Sequence, residues 1–153
     1  MLDTIEIKIH SGNGGNGTIS GRREKFVPEG GPDGGDGGKG GSITVSSDPN
    51  ENTLQRYRYK KFFVAENGGN GSGRLRHGKD GGGIRLKVPV GTQVWNTGGQ
   101  REQLIYDLNT PNVTVILARG GIGGKGNAKF KSSINRFPLL AESGEQGKQL
   151  LVR

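Results

Sequence analysis

A chain of 153 residues with 31 glycines, 29% hydrophobic residues and a net charge of +8 suffices for one domain whose side-chain core is thin. Without cysteine it has no disulfides or thiolate metal sites, and no apolar run approaches the roughly 20 residues of a membrane helix. Its first residues, Met-Leu-Asp-Thr-Ile-Glu, lack the basic and apolar regions of a signal peptide, so a cytoplasmic setting is expected, and the charge points to a polyanionic partner.

In chain order, Ile5, Ile7 and Ile9 alternate with Glu6, Lys8 and His10, a half-buried strand that stops at a glycine run. Ile43 and Val45 repeat the pattern more briefly. Residues 53–59 are the one stretch that fits a helical turn or two. Ile84, Leu86, Val88 and Val90 alternate with Arg85, Lys87 and Pro89, and the proline predicts an edge or a strand end. Further strands are expected at 94–95, 104–108, 113–118 (apolar on both faces) and 150–152. The body is therefore read as all-β with very little helix, a small barrel or a sandwich.

Between these strands lie glycine runs. Residues 30–41, GGPDGGDGGKGG, hold eight glycines in twelve, and from Gly34 they keep a beat of three: Gly34, Gly35, then Gly37, Gly38, then Gly40, Gly41. A period of three fits the polyproline II helix and neither the α-helix nor the strand. Ordering each glycine costs roughly 1–2 kcal/mol, so one such run alone would stay a flexible linker. Runs at 12–17, 68–73, 78–83 and 120–126 change that expectation. Side by side, extended glycine segments can bring their backbones into hydrogen-bonding contact, each bond netting about 1 kcal/mol. The recurrence predicts one packed polyproline II bundle.

Basic residues collect beside these runs: Arg22, Arg23 and Lys25; Arg56, Arg58, Lys60 and Lys61; Arg74, Arg76, His77 and Lys79; then Arg119, Lys125, Lys129, Lys131 and Arg136. Tyr57, Tyr59, Phe62, Phe63 and Phe130 interleave with them, as base-stacking aromatics do in nucleic-acid binders. Solvated charges around core aromatics would be the blander reading of any one cluster; four clusters on the same loops favour nucleic acid.

Two motifs fail on inspection. Gly12-Asn-Gly-Gly-Asn-Gly17 matches GxGxxG, but Thr18-Ile-Ser-Gly-Arg-Arg23 has no helical period to present a helix N-terminus to a pyrophosphate. Gly73-Arg-Leu-Arg-His-Gly78-Lys79 nearly matches a phosphate-binding P-loop, yet Asp80 stands where a Ser or Thr must hold magnesium. His10 and His77 lack metal-ligand spacing and any triad context. No catalytic apparatus is expected in these 153 residues.

Taken together, Arg22-Arg-Glu-Lys-Phe-Val-Pro-Glu-Gly-Gly-Pro-Asp-Gly-Gly-Asp-Gly-Gly-Lys-Gly-Gly41 resembles the signature of the Obg family of ribosome-associated GTPases. The resemblance continues through Arg58-Tyr-Lys-Lys-Phe-Phe63, His77-Gly-Lys-Asp-Gly81, Lys87-Val-Pro-Val-Gly-Thr92 and Ala118-Arg-Gly-Gly-Ile-Gly-Gly-Lys-Gly-Asn127. It also covers Phe130-Lys-Ser-Ser-Ile-Asn-Arg136 and Glu142-Ser-Gly-Glu-Gln-Gly147. Departures are small: Phe62, Gly83, Lys148 and the pair Ser20-Gly21 differ from the family's usual residues.

The resemblance implies the Obg fold, polyproline II helices above a β-barrel-like base, with residues 1–153 as the N-terminal domain. It implies that the GTPase domain, with its GTP and magnesium, follows Arg153, so that no cofactor belongs to this chain. The implied partners are the large ribosomal subunit and its RNA, bound during ribosome biogenesis, and the parent's own GTPase domain. The candidate RNA-binding residues are Arg22, Arg23, Lys25, Arg74, Arg76, Lys79, Arg119, Lys125, Lys129, Lys131 and Arg136. The alternative is a protein-interaction scaffold that docks a GTPase domain or a regulator. Salt dependence separates the two, being steep for phosphate contacts and shallow for apolar docking.

Overall fold

The computed structural model describes residues 4–21, 32–98, 101–130, 144 and 149–152. Among the described residues eight strands form: β1 (Ile7–His10), β2 (Ile43–Ser47), β3 (Phe62–Val64), β4 (Ile84–Val88), β5 (Thr92–Asn96), β6 (Gln103–Leu108), β7 (Thr114–Ala118) and β8 (Gln149–Val152). They make a five-stranded sheet in the order β3-β1-β8-β5-β6 and a three-stranded sheet in the order β4-β2-β7. Among the described residues there is no α-helix, only 3₁₀ turns at Gln55–Tyr57 and Asn127–Phe130.

The alternation read from the sequence is what fills the core. Ile7 and Ile9 from β1, Val94 from β5 and Leu108 from β6 meet Ile43, Val45, Leu86, Val88 and Leu117 from the other sheet in one apolar cluster. β4 ends at Val88, directly before Pro89, on the edge of its sheet. The run at 113–118, apolar on both faces, becomes the opposite edge, with Ile116 39% exposed.

The aromatic residues need a correction. β3 was not expected, and its period of two turns Phe63 inward and leaves Phe62 and Val64 outside. Phe63 packs edge-on against buried Tyr57, with ring centroids 5.8 Å apart. Neither ring is free to stack on a base. Burial also pushes the Tyr57 hydroxyl up to about 12, although it donates a hydrogen bond to the Lys87 carbonyl. Tyr59 and Phe62 remain exposed; the Phe130 side chain lies outside the described residues.

Each glycine run continues a strand. Among the described residues five extended arms, at 11–20, 33–42, 65–73, 76–83 and 119–127, are bonded to one another through their backbones at intervals of three residues. The first arm donates to the second from Gly12, Gly15 and Thr18 to the carbonyls of Gly41, Gly38 and Gly35, at 2.8, 2.8 and 3.1 Å. The second donates to the third from Gly35, Gly38 and Gly41, and to the fifth from Gly37 and Gly40. It also accepts from the fourth at Asp36 and Lys39. The arm carrying the strict three-residue beat is thus bonded to all four others.

Strand pairing sets this arrangement. β1 and β3 are parallel, as are β2 and β4, whereas β2 and β7 are antiparallel. The same relations persist into the arms, through Ala65 N–H to His10 O, Ile84 N–H to Ser42 O and Gly40 N–H to Gly121 O.

Glycine is required here for close approach. A Cβ on Gly38 would lie 2.1 Å from the Lys79 carbonyl oxygen, and one on Gly40 2.0 Å from that of Gly12. Any side chain there would wedge the arms apart.

Candidate nucleic-acid interface

The direction of the arms defines two ends. The first, third and fifth leave β1, β3 and β7, while the second and fourth return to β2 and β4. The chain therefore reverses at the end away from the sheets. One reversal is closed by the bridge between Gly21 and Pro32; a second is the turn 73–76; the third begins in the 3₁₀ turn Asn127–Phe130.

Asn127 holds this tip together. It is fully buried, and its side-chain oxygen accepts from Gly34 N–H at 2.8 Å and from Ser20 N–H at 3.3 Å. Its side-chain amide donates to Ser20 O at 3.0 Å, and its backbone N–H donates to Thr18 O at 3.0 Å. Asp36 does similar work, its carboxylate accepting from Gly126 N–H at 2.9 Å and lying 3.9 Å from the Lys129 ammonium. Asp33 is 9% exposed, and its Oδ1 atom has no hydrogen-bond partner among the described residues. Elsewhere in the arms, Asn67, Asn70 and Asp80 side chains accept from the N–H groups of Asn13, Asn16 and Lys39. These carboxamides and carboxylates cap outward-facing amides that no neighbouring backbone reaches.

The candidate basic residues separate along the bundle. Arg74 and Arg76 occupy the 73–76 turn and Lys129 the 3₁₀ turn, all exposed at the tip. Lys79, whose carbonyl accepts from Gly69 N–H, stands midway down the fourth arm, and Lys125 lies on the fifth arm just below the tip. Arg119 is at the foot, its carbonyl accepting from the Ser11 hydroxyl, so the fold does not bring it to the others. Arg22, Arg23, Lys25, Lys131 and Arg136 lie outside the described residues. Among the described residues no cluster of His, Cys, Asp or Glu could hold a metal, and no helix is long and apolar enough to cross a membrane.

Sequence reading missed Asn127 and Asp36. The available signal was their position: each is a short hydrogen-bonding residue at the border of a glycine pair or run, where a bulky side chain has no room.

The family model for GTP1/OBG matches residues 2–153. The chain belongs to that family. It is similar to GTPase Obg of Thermoanaerobacter sp. (strain X514), with 51% identity over 153 residues, all of this chain and 36% of that protein. Similarity to GTPase Obg of Caldanaerobacter subterraneus subsp. tengcongensis is 50%, again over 36% of that protein. For GTPase Obg of Rickettsia typhi it is 46% over 152 residues, 99% of this chain and 46% of the relative. The chain thus spans less than half the length of these GTP1/OBG relatives, and their GTPase domain lies outside it.

Proposed function

We propose that this chain is the large-ribosomal-subunit binding module of an Obg-type GTPase acting in the cytoplasm during ribosome biogenesis. In this reading the arms are polyproline II helices on a β-barrel-like base, and their tip meets ribosomal RNA. GTP and magnesium belong to the GTPase domain of the same parent protein. The observation that carries the reading is the shared end of three chain reversals, at which Arg74, Arg76 and Lys129 are exposed. The three-residue bonding interval supports the helix type, because polyproline II turns once in three residues. At about 3.1 Å per residue, a nine-residue arm extends roughly 28 Å, long and thin enough for a narrow RNA cleft.

The test is binding to purified large subunits across a salt series. Each phosphate neutralised contributes roughly −0.7 to −0.9 to the slope of log K against log salt. Replacing Arg74, Arg76 and Lys129 with alanine flattens the slope by about two to three units, while replacing Arg85 and Lys87 on β4 leaves it unchanged. Exposed charges contribute little to stability, so melting stays close to that of the parent. Equal losses from both sets, or competition by heparin as strong as by ribosomal RNA, would refute the site. A shallow slope in the unmodified chain would favour the interaction-scaffold alternative.

A further inference from the structure

The turn 73–76 is built against the usual residue preferences. Both of its central residues have left-handed backbones, Arg74 at φ 61° and Leu75 at φ 58°, the conformation of a type I′ turn. That turn normally takes Asn-Gly or Gly-Gly, because a Cβ meets the following carbonyl in this region. The only other described non-glycine residue there is Asn112, of a type that tolerates it. Here, in a chain with 31 glycines, the two strained positions carry arginine and leucine, and Gly73 stands just outside them.

The turn is also pinned. Leu75 N–H donates to Asp33 O at 2.7 Å, Ser72 N–H to Arg76 O at 3.0 Å, and the Arg76 guanidinium to Gly73 O at 3.1 Å. Yet the Leu75 side chain contributes nothing to the core and is 66% exposed, between two exposed arginines. Strain that the surrounding bonds enforce, at a position with no packing role, points to a ligand.

We propose that Leu75 is an apolar wedge that packs on the face of an unpaired RNA base while Arg74 and Arg76 hold the flanking phosphates. The inference rests on the RNA reading above and specifies what the tip recognises: a bulged or unstacked nucleotide. Leucine is among the residues that wedge between base steps, and proteins that read RNA target loops and bulges whose bases are already out of the stack. Paired guanidiniums suit phosphate oxygens on either side.

The test uses the 153-residue chain and two RNA hairpins, one fully paired and one with a single-nucleotide bulge flanked by 2-aminopurine. The expected result is at least tenfold tighter binding to the bulged hairpin, with brighter 2-aminopurine as the neighbouring stack opens. Leu75→Gly abolishes both the preference and the brightening, keeps the salt slope, and raises Tm by about 2–4 °C by relieving the left-handed strain. Leu75→Met keeps the preference. Gain of stability with loss of discrimination is a pair of effects that a merely structural turn would not give. Equal binding to both hairpins, still weakened by Arg74→Ala and Arg76→Ala, would overturn the wedge and leave the RNA reading standing. Binding of large subunits that depends on Leu75, with neither hairpin bound, would assign the wedge to a protein slot and overturn this inference. No binding to hairpins or subunits would overturn both.

Discussion

Replacing Gly38 with alanine adds one methyl group at the centre of the bundle. Its Cβ would sit 2.1 Å from Lys79 O and 2.7 Å from Gly78 O, whereas ordinary contact begins at 3.4 Å. The fourth arm must therefore retreat by more than an ångström. That arm is held by Gly69 N–H to Lys79 O at 2.7 Å and Gly78 N–H to Asp36 O at 2.8 Å, and both bonds fail at such a displacement. Leaving the Gly69 and Gly78 N–H groups without partners, at roughly 1–3 kcal/mol each, gives a loss of about 2–6 kcal/mol, a large part of the ~5–15 kcal/mol of a typical domain. Valine at Gly35 or Gly38 acts in the same direction with more bulk. The control is Gly82→Ala, since no described residue lies within 4 Å of a Cβ there and its backbone is not left-handed. Gly82→Ala should leave stability unchanged or raise it by about 0.4–1 kcal/mol through the unfolded state. Urea unfolding followed by the single tryptophan, Trp95, reads both variants. Equal midpoints for Gly38→Ala and Gly82→Ala would refute close backbone packing as the reason for glycine.

Asn127→Leu keeps the branched shape but strands Gly34 N–H and Ser20 O, for an expected loss of about 2–4 kcal/mol; amide exchange should quicken at Gly34 before it does at Gly12 and Gly41 near the sheets. Gly91→Ala meets no atom of the described residues, yet Gly91 has φ 95°, so calorimetry should record a loss of about 1–2 kcal/mol from backbone strain alone. Tyr57 titrates near 12 when folded and near 10 when unfolded, so the unfolded chain sheds that proton first as pH rises. Its contribution is complete below pH 10 and declines between about pH 10 and 12. Tyr57→Phe should cost about 1 kcal/mol at neutral pH and remove that part of the alkaline decline in denaturation midpoints.

Much of this molecule is legible in one dimension. Alternation at Ile7, Ile9, Leu86 and Val88 specifies strands with one buried face, and Pro89 marks where β4 stops. The beat of Gly34 to Gly41 specifies segments that repeat every third residue, because only that period presents like positions to the same neighbour. Neither phosphate motif can work as one, since both require a helix that the following residues do not encode. The identity of each neighbour was another matter. A glycine announces that something will come close, but the carbonyl facing Gly38 is Lys79, brought there by the parallel pairing of β2 with β4. Tertiary structure alone separated Arg119 at the foot from Arg74 and Arg76 at the tip, and sent Phe63 into the core while leaving Phe62 outside. It alone revealed that Asn127 substitutes for backbone where the fifth arm ends, and that the tip turn holds Arg74 and Leu75 in left-handed conformations. Local spacing fixes the period of each segment; strand pairing between residues far apart in sequence fixes which segments meet and which end each residue occupies.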